Sequence, residues 1–139
     1  MTEKLAEYGY GFQIKTIAAL FTDRSFLQQI ADIIRPDYFE SDANSWLLEV
    51  TLSHFHEYKM PPSKDVLKVK ITEIENDILK TAVLEQLKEV FRYMEADDLS
   101  FVKDEILRFC KNQEIKRAIM DSVGLLKIGN YDEIKTKID

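Results

Sequence analysis

Only one cysteine, Cys110, occurs in this chain, so no disulfide can form within it. That scarcity fits a reducing compartment better than an exported one. Cys110 follows Phe109 in an apolar stripe and reads as a small core residue. Proline is nearly as rare: Pro36, Pro61 and Pro62 are the three, so the sequence on either side of them has no residue that forbids a helix. Glycine occurs four times, and this poverty of breakers makes an all-α fold the natural expectation. No uninterrupted apolar run approaches the ~20 residues that span a bilayer. The first twelve residues also lack the basic start and apolar stretch of a secretion signal. The expected location is therefore the cytoplasm, with no membrane partner.

An excess of positive charge is missing as well. The formal charge is −6, with 16 acids against 11 bases in residues 1–96 and 9 against 8 in residues 97–139. Gripping a nucleic-acid backbone requires a concentrated cationic surface, so DNA contact is expected to be weak or absent. The densest basic set, Arg108, Lys111, Lys116 and Arg117, reads as the solvated side of a helix. At 139 residues with 45% hydrophobic content, the chain is sized for one core.

What is present is a series of amphipathic stripes. After a flexible lead-in over 1–11, Ile14, Ile17, Leu20 and Phe21 recur at helical spacing, and Ala18 and Ala19 allow a neighbour to approach closely. Asp23 or Ser25 is placed to cap a short helix carrying Phe26, Leu27, Ile30, Ile33 and Ile34, which ends against Pro36. Pro36-Asp37-Tyr38-Phe39 reads as one turn that sets Tyr38 or Phe39 in the core. Ser41 or Asp42 then caps a longer helix with a broad face of Trp46, Leu47, Val50, Phe55 and Tyr58. Pro61 and Pro62 stop it, and Ser63 caps the next, with Val66, Leu67, Ile71 and Ile74. The cleanest stripe follows: Leu79, Val83, Leu87, Val90 and Met94, widened by Leu84 and Phe91. The expected core is anchored by Ile17, Leu20, Phe26, Ile30, Phe39, Trp46, Leu87 and Phe91.

Beyond Asp97-Asp98-Leu99-Ser100 nothing stops a helix until Gly124 or Gly129. Leu99, Val102, Ile106, Phe109 and Cys110 share one side of it. Ile115, Ile119, Val123 and Leu126 share another, displaced by roughly 140° at about 100° per residue. One helix thus serves two surfaces. Its second face needs a different cover, either another subunit or this chain's own Ile134 and Ile138, in a helix expected after Asn130-Tyr131-Asp132.

Catalytic chemistry has little to stand on. His54 and His56, two positions apart, point to different sides of a helix, whereas a metal pair is spaced by three or four. Gly124-Leu-Leu-Lys-Ile-Gly129 lacks the lysine and hydroxyl that follow the second glycine of a phosphate loop. Glu73 with Asp77, and Asp97 with Asp98, are acid pairs better suited to solvated surface and capping than to proton transfer. Phe26 to Ile34 contains no lysine or arginine, so it is not a DNA-recognition helix. No catalytic, cofactor-binding or metal-binding residue is assigned.

Several joints together resemble the N-terminal domain of DnaB-type hexameric replicative helicases, in their phage-like branch. Ile17-Ala18-Ala19-Leu20 is similar to that family's opening helix and Asp23-Arg24-Ser25-Phe26-Leu27 to its aspartate-initiated second helix. Ile34-Arg35-Pro36-Asp37-Tyr38-Phe39 resembles its proline, acid, aromatic, phenylalanine turn. Pro61-Pro62-Ser63-Lys64-Asp65-Val66-Leu67 resembles the linker into its next helix. Ser41-Asp42-Ala43-Asn44-Ser45-Trp46 departs from the histidine and basic residue that cellular members carry there. The resemblance implies a compact bundle of about six short helices over 12–96, then a long helix over 97–139 that begins a helical hairpin. It also implies a non-catalytic collar over an ATPase ring, hexameric in the full-length protein, with primase or helicase loader as partner. ATP and Mg would belong to a motor domain beyond Asp139. In a phage the setting would be the host cytoplasm. Ile115, Ile119, Val123 and Leu126 are the expected self-association or partner contact. The rival expectation is a stand-alone helical adaptor or loader with no motor attached.

Overall fold

A computed structural model describes residues 4–127. Its architecture is all-helical: among the described residues there are six α-helices, two 3-10 turns and no strands. None of these helices is long and apolar enough to cross a membrane.

The first helix, α1 (Tyr10–Thr22), is the centre of the bundle. Ile17, Ala18, Ala19 and Leu20 are fully buried, and even Gln13 and Thr16 on the same helix are closed to solvent. A helix buried all round must be surrounded, and its two small alanines let neighbours come close on more than one side. Gln13 remains satisfied because its amide bonds Glu40 twice, donating to the carboxylate at 3.0 Å and accepting from the backbone N–H at 3.1 Å. That pair ties the loop after Phe39 to the central helix.

Of the next four helices, α2, α3 and α5 pack on α1 and α4 packs on α5, and each start has a side-chain cap. Asp23 accepts from the Phe26 amide at 3.0 Å and starts α2 (Arg24–Ile30). Ser41 caps α3 (Asp42–Tyr58) through Asn44 N–H, and Ser63 caps α4 (Lys64–Thr72) through Val66 N–H. Asn76 does the same for α5 (Asp77–Arg92) through Leu79 N–H. Each such bond satisfies one of the helix's orphan amides, and losing one costs about 1 kcal/mol. Pro36–Tyr38 forms a 3-10 turn that delivers Phe39 into the core. Lys59 ends α3 in the left-handed region, with φ 61°, where its carbonyl accepts from Arg24 Nε at 2.6 Å.

Two expectations need correction. Residues Leu5–Tyr8, read as loose, form a 3-10 turn with Leu5 only 1% exposed and Tyr8 stacked on Phe12 at 4.3 Å. Gly9, at φ 96°, then redirects the chain into α1, a backbone geometry that costs glycine nothing. Of the expected core anchors, Ile17, Leu20, Phe26, Ile30, Phe39 and Leu87 are buried, but Trp46 and Phe91 are half-buried at its margin. Trp46 faces an open groove, and Phe91 lies beneath the Lys64 ammonium, 4.8 Å from its ring centre. Leu84 is likewise exposed, because α5 packs through Val83, Leu87 and Val90 instead.

The last helix, α6 (Leu99–Lys127), lies against α1 and α2, and its buried apolar residues all fall in its first half. Val102, Ile106, Phe109 and Cys110 are buried there. At 29 residues it extends about 43 Å. Ile106→Ala should lower stability by roughly 2–5 kcal/mol, the cost of deleting a packed aliphatic side chain. Ile119→Ala, the same change on the same helix, should stay within about 0.5 kcal/mol because no cavity is created. Urea denaturation of the two variants checks this; equal losses would mean that both halves of α6 are packed alike.

Candidate protein-interaction surfaces

Two surfaces stand out after the core is accounted for. The first is the C-terminal half of α6. Ile115, Ile119, Val123 and Leu126 are 59, 55, 42 and 51% exposed, and Met120 beside them is 64% exposed. Scattered surface leucines are ordinary, but apolar residues repeating along one helix face form a contiguous strip, which marks an interaction site.

The strip is held out from the head by identifiable contacts. Lys103 Nζ donates to Asp23 at 2.9 Å and Lys15 Nζ to Asp98 at 2.7 Å, clamping the start of α6 to α1 and to the cap of α2. Further along, Phe109 meets the rings of Tyr8 and Tyr38 edge-on, at 6.1 and 5.4 Å between centres. Arg117 then donates to the Tyr38 hydroxyl at 2.7 Å and pairs with Glu114. Burial pushes the Tyr38 phenol up to about 12, so it stays neutral as the acceptor of that bond. Past Arg117, Ile119, Val123 and Leu126 turn away from the core side of the helix, Met120 stays on that side but is exposed, and Ser122 is buried, its hydroxyl donating to the Ala118 carbonyl at 2.8 Å. Ile134 and Ile138, the alternative cover for the strip, lie outside the described residues, as do Gly129 and the expected hairpin turn.

The second surface is a groove of about 650 Å³ between α3 and α4. Trp46, Val50 and Val66 supply its apolar lining, with Tyr58 at one end and the carboxylates of Glu49 and Glu57 on its rim. A neighbouring hollow shares Trp46, Val50 and Lys70 and continues past Glu73 and Glu75 towards Leu79 at the start of α5. Sequence reasoning assigned Trp46, Val50 and Tyr58 to one broad core face of α3. The structure divides that face: Leu47, Leu48, Thr51 and Phe55 point inward, while Trp46 and Val50 are half-buried and Tyr58 is exposed.

The other candidates have structural employment. The His54 ring packs on Tyr58 at 4.7 Å, and His56 is exposed. Among the described residues no group of three or more His, Cys, Asp or Glu is gathered as a metal site would require. Burial, with the nearby charge of Glu114, pushes the Cys110 thiol up to about 12, which leaves it protonated and unreactive. Asp98 is engaged by Lys15 and Glu73 by Lys70 at 3.9 Å. Gly124 lies inside α6, not in a loop. Of the basic set, Arg108 pairs with Glu105 at 2.7 Å.

No family model matches the chain, and no curated protein or solved structure is found to be similar to it.

The clamp on α6 has a definite pH signature. The Lys103 hydrogen bond foremost, then the Phe26 amide, holds the Asp23 carboxyl below its ordinary value of 3.8, and Lys15 does the same for Asp98. A carboxylate whose folded-state value is depressed contributes stability that is fully present above the unfolded value. That contribution fades as pH falls through the folded one. Lys103→Met should therefore lower the urea midpoint at pH 7, and its gap from the unmodified protein should narrow as pH drops below about 4. A gap of constant size across that range would show that Lys103 acts without Asp23.

Proposed function

We propose that this chain is the N-terminal collar domain of a DnaB-type replicative DNA helicase, mediating subunit assembly and docking of primase or loader during DNA replication. In this reading it performs no catalysis. ATP and Mg belong to a motor domain that follows it, and the hexamer belongs to the full-length protein.

The observation that carries the reading is the bare strip on α6. A helix clamped to its own head at one end and exposing Ile115, Ile119, Val123 and Leu126 at the other is built to meet a second molecule. The joints that prompted the resemblance give further support. Asp23 initiates α2, the Pro36–Tyr38 turn seats Phe39, and Ser63 caps α4 after the two prolines. The acidic surface and the employment of the candidate catalytic groups favour an assembly role over chemistry.

Ile119→Asp places a charge in the middle of the strip without touching the core. The unmodified chain should gain mass with concentration in light scattering, whereas the variant should remain a monomer with an unchanged thermal midpoint. Equal masses for the two at every concentration would remove self-association from the reading. An in-frame ATPase domain encoded directly after Asp139 is expected; a stop codon there would overturn the collar assignment.

A further inference from the structure

The α3–α4 groove has an ordered floor and an ordered rim. Trp46, Val50, His54 and Tyr58 recur every four residues along α3, so they form one row, about 18 Å long, that faces the groove. Glu49 and Glu57 belong to the row beside it, about 60° round the helix and about 12 Å from each other along the axis. Val66 and Lys70 on α4 line the other side, and the hollow that continues past Trp46 adds Glu73 and Glu75.

The charge on that rim is uncompensated. Among the described residues Lys70 is the one lysine or arginine lining either hollow, and it is paired with Glu73 at 3.9 Å. Glu49, Glu57 and Glu75 are exposed and have no ion-pair partner among the described residues. The shape of the floor selects the backbone of its occupant. No strand occurs among the described residues to offer a sheet edge, so an extended peptide laid on Trp46 and Val50 would leave its backbone N–H and C=O groups against apolar side chains. A helix brings its backbone bonds with it. The exposed face of α6 from a second copy is a poor match, because Lys116 and Asp121 beside it are already engaged within the chain and Ser122 is buried.

We propose that this groove binds an amphipathic helix of a different protein, whose apolar stripe is edged by lysine or arginine. The stripe lies on the row from Trp46 to Tyr58, and cations about seven or eight residues apart, two turns, meet Glu49 and Glu57. Trp46 is the type of large, partly buried aromatic residue that anchors such contacts. The proposal stands whether or not the chain self-associates through α6.

The test titrates two synthetic helical peptides of about 18 residues, long enough to hold a helix, into the whole chain. Both lack tryptophan and carry one leucine stripe, edged by lysines in the first and by glutamates in the second. Trp46 is the only tryptophan in the chain, so its emission reports on the groove directly. The lysine-edged peptide should shift that emission to the blue and saturate, with affinity falling as salt is raised, and the glutamate-edged one should leave it unchanged. Glu49→Lys/Glu57→Lys should weaken the first peptide by about tenfold or more and admit the second. Asp32→Lys/Asp104→Lys makes the same change in net charge on exposed acids outside the groove, and should leave binding within about twofold of the unmodified chain. Thermal midpoints of both variants are compared with the unmodified protein. Equal weakening by the two variants would mean that overall charge draws the peptide, and no blue shift with either peptide would deny the groove this occupant; both results overturn the proposal. So would an emission from the chain alone that moves to the blue with its own concentration, which would place a second copy in the groove.

Discussion

The seam between α1 and the first half of α6 is the contact on which the rest of the molecule depends. Val102, Ile106, Phe109 and Cys110 close over a central helix that is already buried on its other sides. Fully burying an aliphatic or aromatic side chain is worth about 1.5–3 kcal/mol, so these positions outweigh any surface ion pair nearby. The Lys103–Asp23 and Lys15–Asp98 pairs contribute direction more than strength. They fix where α6 begins, and the rings of Tyr8, Tyr38 and Phe109 fix its roll.

Everything distinctive about the far half of α6 follows from that roll. Once Phe109 and Cys110 face the core, a helix turning about 100° per residue must carry Ile115, Ile119, Val123 and Leu126 round to another side. Positions that would continue the buried face are Gln113, Arg117, Met120 and Gly124; Arg117 makes its last contact with the head at Tyr38, and Met120, five turns beyond Val102, is 64% exposed because the head does not reach it. The change of face is written in side-chain identity, so no kink or break is needed to produce it. A head that buries half of a long helix and leaves the remainder bare is a stable unit with an unfinished surface. The acid-edged groove on its α3–α4 side is a second unfinished surface.

Much of this was legible in the sequence because it is local. The Asp23, Ser41 and Ser63 caps, the Pro36 turn and the change of face in α6 are each decided within a few residues. The misreadings depended on tertiary contact. Leu5 looked like part of a loose opening because only the docked head gives it somewhere to go. Asn76-Asp77 has the right chemistry for a helix start, and Asn76 caps α5 there. In the sequence, Trp46, Val50 and Tyr58 read as one face with Leu47 and Phe55. The excess width of that face was the available signal that α3 serves a core on one side and a groove on the other. The groove itself depends on how α4 lies against α3, and no local pattern encodes that.

The central claim is that α6 packs its apolar residues on its own head only along its first half. Hydrogen exchange, followed residue by residue at several protein concentrations, reads this directly. Amides from Val102 to Cys110 should exchange only through global unfolding at any concentration. Those from Ile115 to Leu126 should exchange faster in dilute protein and slow as concentration rises. Protection of both segments to the same degree, independent of concentration, would mean that the strip is already covered and would contradict the account.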